Sequence, residues 1–270
     1  MSKEVLGAQS ARATLVRADN PGVMTLEGTN TWVLREPGRN GVVVLDPGPL
    51  DEAHLKAVLE VAHRDGGCVE LVVYSHWHPD HTDAIDRFFE LTGAQARALD
   101  EKWCRDAVPL TDGELISIDG LNVRVLATPG HTGDSICLLL PDEGSLLSAD
   151  TILGRGTTVV AHPDGVLGSY FESLHTIRTL ISSGQVQRIL PAHGPVITEP
   201  LEVVDGYLTH RAARLEQVRE ALSAGDTTAM QVVERVYSKL DRSVWFAAEM
   251  SVRAQIEYLK AQSGSSSMEV

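Results

Sequence analysis

Positive charge, cysteine and long apolar runs are all scarce in this sequence. Its 270 residues carry 23 Lys and Arg against 37 Asp and Glu, a formal charge of −14. So acidic a surface repels phosphate backbones on average, so duplex DNA is not an expected partner, although room remains for a small basic cleft. There is no basic or aromatic run of the kind that tracks single strands. The three cysteines, Cys68, Cys104 and Cys137, are odd in number and far apart, with no CxxC between them. Neither a disulfide framework nor a zinc finger is expected, and they read as small, partly buried apolar residues in a reducing cytosol. The longest apolar runs are strand-sized, so no membrane partner is expected. The first fifteen residues lack the apolar stretch of a signal peptide, and a cytoplasmic location follows as the default. Also missing are GxSxG, HExxH, a P-loop, GxGxxG and the HxE/PCxxC pair of deaminases, which sets those chemistries aside.

What is present is enough for one large domain, or a medium one with a small appendage: 43% of residues are hydrophobic and 22% charged. Residues 1–200 read as short strands separated by Gly/Pro/Asp turns. Strands are expected at 31–34, 42–46, 71–74, 115–118, 121–126, 136–140, 146–147 and 189–190. Helices are expected at 51–64, capped by Asp51, at 83–91 and at 170–181. Strands with helices inserted irregularly predict an α/β sandwich rather than a doubly wound sheet. The texture changes at Pro200. Three helical patterns follow, at 201–222, 228–239 and 245–261, giving a catalytic domain over 1–200 and a helical domain over 201–262. Residues 263–270 are too polar to pack and read as a disordered tail. Trp245, Phe246 and Met250 read first as core packing and second as a homodimer contact.

The chemistry is concentrated after the apolar run 71–74, where the chain reads Ser75-His76-Trp77-His78-Pro79-Asp80-His81. Alternate residues of an extended segment share a side, so His76, His78 and Asp80 can converge, and a turn after Pro79 can bring His81 round. Imidazole with carboxylate suits zinc, manganese or ferrous iron. His131 in TPGHT, Asp150 in SADT and His193 in PAHG each follow a short strand and enter a turn, where a rigid sheet presents functional groups. Asp46, in the DPG turn, is either a turn former or a partner for a ligand histidine.

HxHxDH followed by TPGHT, SADT and PAHG resembles the metallo-β-lactamase superfamily over nearly all of residues 20–200. The resemblance implies an αββα sandwich and a dinuclear zinc site, with Mn2+ or Fe2+ as substitutes. His76, His78 and His131 would hold the first ion, Asp80, His81 and His193 the second, and Asp150 would bridge them. Zinc lactamases of the common class carry Cys where Asp150 stands, so antibiotic hydrolysis is not implied. The EGTNTW run at 27–32, the DPG at 46–48, YFESL at 170–174 and His210-Arg211 resemble the β-lactamase-like protein 2 subgroup. That subgroup includes a single-strand-selective endoribonuclease with a winged-helix-like C-terminal domain.

Two ions sharing a water lower its pKa, and the bridging hydroxide serves as nucleophile. Asp80 and Asp150 are accordingly the expected catalytic carboxylates, with Asp80 aiming the water. His162, Tyr170, His210 and Arg211 are the candidate substrate residues, whereas His54, His63 and His175 read as solvated helix positions. The expected function is metal-dependent hydrolysis, with a phosphodiester such as single-stranded RNA as the implied substrate. A thioester of the glyoxalase II type and sulfur dioxygenase chemistry at a single iron are the alternatives.

Overall fold

Short valine- and leucine-rich runs form the strands, because β-branched side chains pack well on a pleated sheet. The structure is a computed structural model that describes residues 5–239 and 241–265. One sheet has six strands in the order β1 (Val5–Ala8), β2 (Ala13–Arg17), β3 (Asn30–Arg35), β4 (Gly41–Leu45), β5 (Cys68–Val73) and β6 (Gln95–Arg97). Its last two pairings, β4 with β5 and β5 with β6, are parallel. Parallel neighbours need a crossover. These are supplied by α1 (Glu52–Ala62) and by α2 (Pro79–Thr82) with α3 (Ile85–Thr92). The other sheet has five strands, ordered β11 (Arg188–Pro191), β10 (Ser145–Ala149), β9 (Ile136–Leu140), β8 (Leu121–Ala127) and β7 (Leu115–Ile118).

Three apolar clusters define the layers. Between the sheets, Trp32, Leu45 and Val73 meet Val125, Leu138 and Leu147. Outside the first sheet, Val33, Val44 and Val72 pack under Leu55 and Val58 of α1 and Phe88 of α3. Outside the second, Leu139 and Ile189 pack with α4 (Leu167–Ser182) and with α5 (Pro200–Ser223), α6 (Ala229–Val236) and α7 (Trp245–Ser265). Helix, sheet, sheet and helix therefore stack as the sandwich pattern predicts.

Asp51 caps α1 as expected, its carboxylate accepting from Ala53 N and His54 N. Thr228 and Gln231 close a capping box at the start of α6. Several expectations need correction. The edge strands β1 and β6 and the strand β2 carry too little apolar signal to stand out. The helix expected at 83–91 is α3, and the short helix α2 just before it was not expected. His54 is fully buried, because it shares a face of α1 with Val58 and Val61; its Nε2 lies 2.8 Å from Thr31 Oγ1. Cys68 is exposed, and only Cys137 is buried. Phe246 is 73% exposed and is not core, whereas Trp245 packs against the outer cluster. Helix α7 runs on to Ser265, past the expected start of the tail, and residues 266–270 lie outside the described residues. The C-terminal helices are present, and among the described residues no strand follows β11. No helix among these residues is long and apolar enough to cross a membrane.

Candidate metal centre

Strands from both sheets end at one rim of the sandwich, and each delivers a polar residue there. Asp46 follows β4, the run 75–81 follows β5, His131 follows β8, Asp150 follows β10 and His193 follows β11. Two non-glycine residues are bent into the left-handed region to achieve this, Asp46 with φ 50° and Ala149 with φ 46°. Such strain persists where it aims a side chain, and Ala149 turns Asp150 out of its strand towards the centre. Gly130, with φ 137°, opens the turn to His131. A Cβ there would lie 2.3 Å from the Cα of Tyr170, so only glycine fits.

The nitrogens converge in two sets. His78 Nδ1 lies 3.0 Å from His76 Nε2 and 3.0 Å from His131 Nε2. In the other set, Asp80 Oδ2 lies 3.4 Å from His81 Nε2 and 3.3 Å from His193 Nε2. Asp150 stands between them. Its Oδ2 is 4.0 Å from His76 Nε2 and 3.6 Å from His131 Nε2. Its Oδ1 is 3.6 Å from His81 Nε2 and 3.2 Å from His193 Nε2. One carboxylate oxygen thus faces each set. Within each set the donor atoms all lie within 4.8 Å of one another. Ligands of a tetrahedral zinc with ~2.0–2.1 Å bonds stand roughly 3.3 Å apart, so each set has the dimensions for one ion. His81 Nε2 and Asp150 Oδ1 are buried without a hydrogen-bond partner, a state that a cation between them would relieve.

The outward ring nitrogens of His81, His131 and His76 are tied back, which fixes the orientation of those rings. Asp46 Oδ2 accepts from His81 Nδ1 at 2.8 Å, and Val159 O accepts from His131 Nδ1 at 2.7 Å. Ser75 Oγ donates to Asp46 Oδ2 at 2.6 Å, so it accepts from His76 Nδ1 at 2.9 Å. Asp46 is therefore a partner of a ligand-type histidine as well as a turn former. Burial drives His76 far below the ordinary imidazole value, lowers His78 to about 4, and lowers His131. Burial acts in the same sense on His81 and His193, but carboxylates overcome it. Asp80 and Asp46 raise His81 well above the usual range, and Asp150 with Asp80 raises His193 to about 9. Burial would raise Asp80 and Asp150, yet the adjacent histidines hold both far below the carboxylate range.

A family model described as the metallo-beta-lactamase superfamily matches residues 24–193. The chain belongs to the metallo-β-lactamase superfamily. It is 33% identical over 259 residues to a β-lactamase-like protein 2 homolog of Caenorhabditis elegans, covering 93% of this chain and 84% of that protein. It is also 32% identical over 254 residues to an atrochrysone carboxyl ACP thioesterase of Aspergillus fumigatus, covering 87% of this chain and 76% of the relative. Among solved structures, a metallo-β-lactamase family protein of Thermus thermophilus superposes with a TM-score of 0.78 at 21% identity, covering 95% of each chain. With an intact His/Asp site in this superfamily, the protein is a metal-dependent hydrolase.

The subgroup resemblance located the EGTNTW run, but the structure explains it. Thr29 Oγ1 donates to Asp80 Oδ2 at 2.8 Å. Asn30 Nδ2 donates to Pro191 O and Gly194 O, both at 3.0 Å, and Trp32 Nε1 donates to Pro191 O. The run therefore braces Asp80 and the loop carrying His193. Sequence reasoning missed Thr29 and Ser75 as individual residues, because hydroxyl side chains beside a ligand cluster carry no distinct pattern.

The four candidate substrate residues fare differently. Tyr170 is fully buried and donates its hydroxyl to Thr151 O at 2.7 Å, so it braces the loop after Asp150 instead of meeting a substrate. His162 is half-buried and lies against α6 and α7, beside Thr228 and Glu257, away from the metal centre. His210 and Arg211 do line a groove, together with Val159, Arg214 and Gln255. Its inner wall is the segment 157–159, which on its other side carries the Val159 contact to His131 and a 2.7 Å bond from Thr158 Oγ1 to Asp150 O.

Proposed function

We propose that this chain is a two-zinc hydrolase of acyl thioesters, with His76, His78 and His131 holding one ion, Asp80, His81 and His193 the other, and Asp150 spanning both. The observation that carries the two-ion assignment is the placement of Asp150, one oxygen towards each set of nitrogens. Two such ions, when bound, would lower the pKa of a shared water and polarise the substrate carbonyl. The protein's own part is to orient the rings of His81, His76 and His131 through Asp46, Ser75 and Val159, and to keep Asp80 oriented through Thr29. Asp80 Oδ1, the oxygen not turned to Thr29, His81 or His193, would accept a proton or hydrogen bond from the attacking water. Zinc is the metal that best suits a set of five imidazoles and two carboxylates.

The thioester is favoured by the groove beside the centre, where Val159, Val244, Ala247 and Ala248 stand among polar residues and the rings are those of His210 and Tyr237. The Tyr237 ring is already covered by Arg214, whose guanidinium lies 4.7 Å from its centroid. The 32% identity to an ACP thioesterase supports the same substrate class. Single-stranded RNA is the second reading, supported by the likeness to the β-lactamase-like protein 2 homolog and opposed by the charge of −14. A cytoplasmic setting belongs to the proposal, since all three cysteines are unpaired.

The test is elemental analysis of the purified protein together with hydrolysis of acetyl-pantetheine, a short single-stranded RNA and bis-p-nitrophenyl phosphate. Two zinc ions per chain with thioester cleavage is expected. RNA cleavage with an inert thioester would move the second reading to the front. One iron with oxygen consumption would overturn both and favour the dioxygenase.

A further inference from the structure

Trp77 stands in the chain between two candidate ligands, His76 and His78, yet it belongs to none of the three apolar clusters and is 38% exposed. Its indole is nevertheless held on two sides. Nε1 donates to Asp164 Oδ2 at 2.7 Å, across 87 positions of the chain. The ring meets the His78 imidazole in a T-shaped contact, with centroids 4.5 Å apart and planes at 67°. Such edge contacts are a favoured arrangement between rings. Asp164 Oδ1 in turn accepts from Gly133 N at 3.3 Å, two residues past His131. One carboxylate thus joins the loop of His78 to the loop of His131.

His78 is the member of its set that needs such a support. The outward nitrogens of His76 and His131 are held by Ser75 Oγ and Val159 O. His78 turns Nδ1 to the other two rings, and its Nε2 makes no hydrogen bond among the described residues. A ligand ring with no outer partner must lose rotational freedom when it takes an ion, which weakens binding. We propose that Trp77 is the positioning residue for His78, its indole blocking rotation of the imidazole, and that Asp164 fixes the indole by accepting its N–H. The inference rests on the assignment of His78 to an ion in the reading above and is independent of the substrate.

The experiment is calorimetric titration of the metal-free full chain with zinc, with its melting temperature as the control for folding. Wild type should bind in two steps, the first at His76, His78 and His131. Trp77→Ala should weaken the first step by about 10–100-fold, the range for losing a residue that orients a ligand histidine, and leave the second little changed. Trp77→Phe keeps a ring beside His78 and loses the N–H, so the first step should weaken by only about three- to tenfold. Asp164→Ala should weaken the same step. Adding Trp77→Phe to it should bring no further loss, because the indole N–H then has no acceptor to lose. If wild type does not bind two zinc ions, the two-ion reading itself fails and takes this inference with it. With two ions bound, an unchanged first step in Trp77→Ala, or equal weakening of both steps, overturns the positioning role alone. An undiminished Trp77→Phe loss in the Asp164→Ala background overturns the Asp164 link. Should Trp77→Ala not fold, Trp77→Phe decides: a first step equal to that of wild type overturns the proposal.

Discussion

The two halves of the metal centre face each other across Asp150 and are built from different chemistry. His76, His78 and His131 form a set of imidazoles that burial keeps neutral. Asp80, His81 and His193 form a set in which carboxylates hold protons on the two histidines. Only the neutral set presents free lone pairs at pH 7 without losing a proton. The other stores positive charge as protons, in the place where a cation would store it. An incoming ion must displace them, so its affinity is linked to pH while that of its neighbour is not. The same rim of the same fold thus makes one preformed half and one proton-gated half.

The most severe way to break this contrast is to remove the residue common to both halves. Asp150→Ala should lower activity by on the order of 10²–10³ or more, as loss of a directly acting electrostatic group does. It should also leave fewer than two metal ions per chain by elemental analysis. Full activity with two ions retained would show that Asp150 does not span the halves.

Asp46→Ala separates the halves. Asp46 binds His81 directly and reaches His76 only through Ser75. Loss of a residue that orients a ligand histidine lowers metal affinity or activity by about 10–100-fold. Zinc titration of Asp46→Ala should show the second binding step weakened by that factor and the first weakened less. Equal weakening of both steps would mean that the Ser75 link matters as much as the direct bond.

The contrast is sharpened by pH without any mutation. His193 at about 9 and His81 above the usual range are protonated in the metal-free protein at pH 7. Zinc needs the neutral ring, so the second step should strengthen as pH rises towards about 9. Each displaced proton contributes about tenfold per pH unit. The first step should stay nearly flat down towards about 4, the value of His78. Calorimetric titration in buffers of different protonation enthalpy counts the released protons; identical counts for the two steps would remove the distinction.

The halves do not differ in how much of them could be read from the sequence: each has two members in one dense cluster and one at a turn after a strand. His76, His78, Asp80 and His81 fall within six positions, so their density alone marks them. His131, Asp150 and His193 were legible from turns that follow strand-like runs. The sandwich was legible because β9 and β10 are buried throughout, β9 as the unbroken apolar run ICLLL and β10 around the pair Leu146-Leu147. The braces were not legible. Thr29 meets Asp80 across 51 positions, and Asn30 meets Pro191 across 161. Such contacts depend on how the two sheets stack, which no local pattern encodes. Tyr170 was misread for the same reason: on its helix it looks available, but Gly130 lets the turn to His131 press against it.

Ser75→Ala gives the smallest effect and the finest discrimination. The substitution removes one hydroxyl and leaves the backbone bond from Ser75 N to Asp46 Oδ1 at 2.7 Å, so Asp46 keeps its place beside His81. What is lost is the acceptor for His76 Nδ1, on the neutral half. A neutral hydrogen bond is worth about 1 kcal/mol net, so activity should fall only about three- to tenfold. The loss should appear in the first zinc step and not in the second, the reverse of Asp46→Ala. If the second step moved instead, the hydroxyl would be acting through Asp46, and the two halves would share one support rather than having one each.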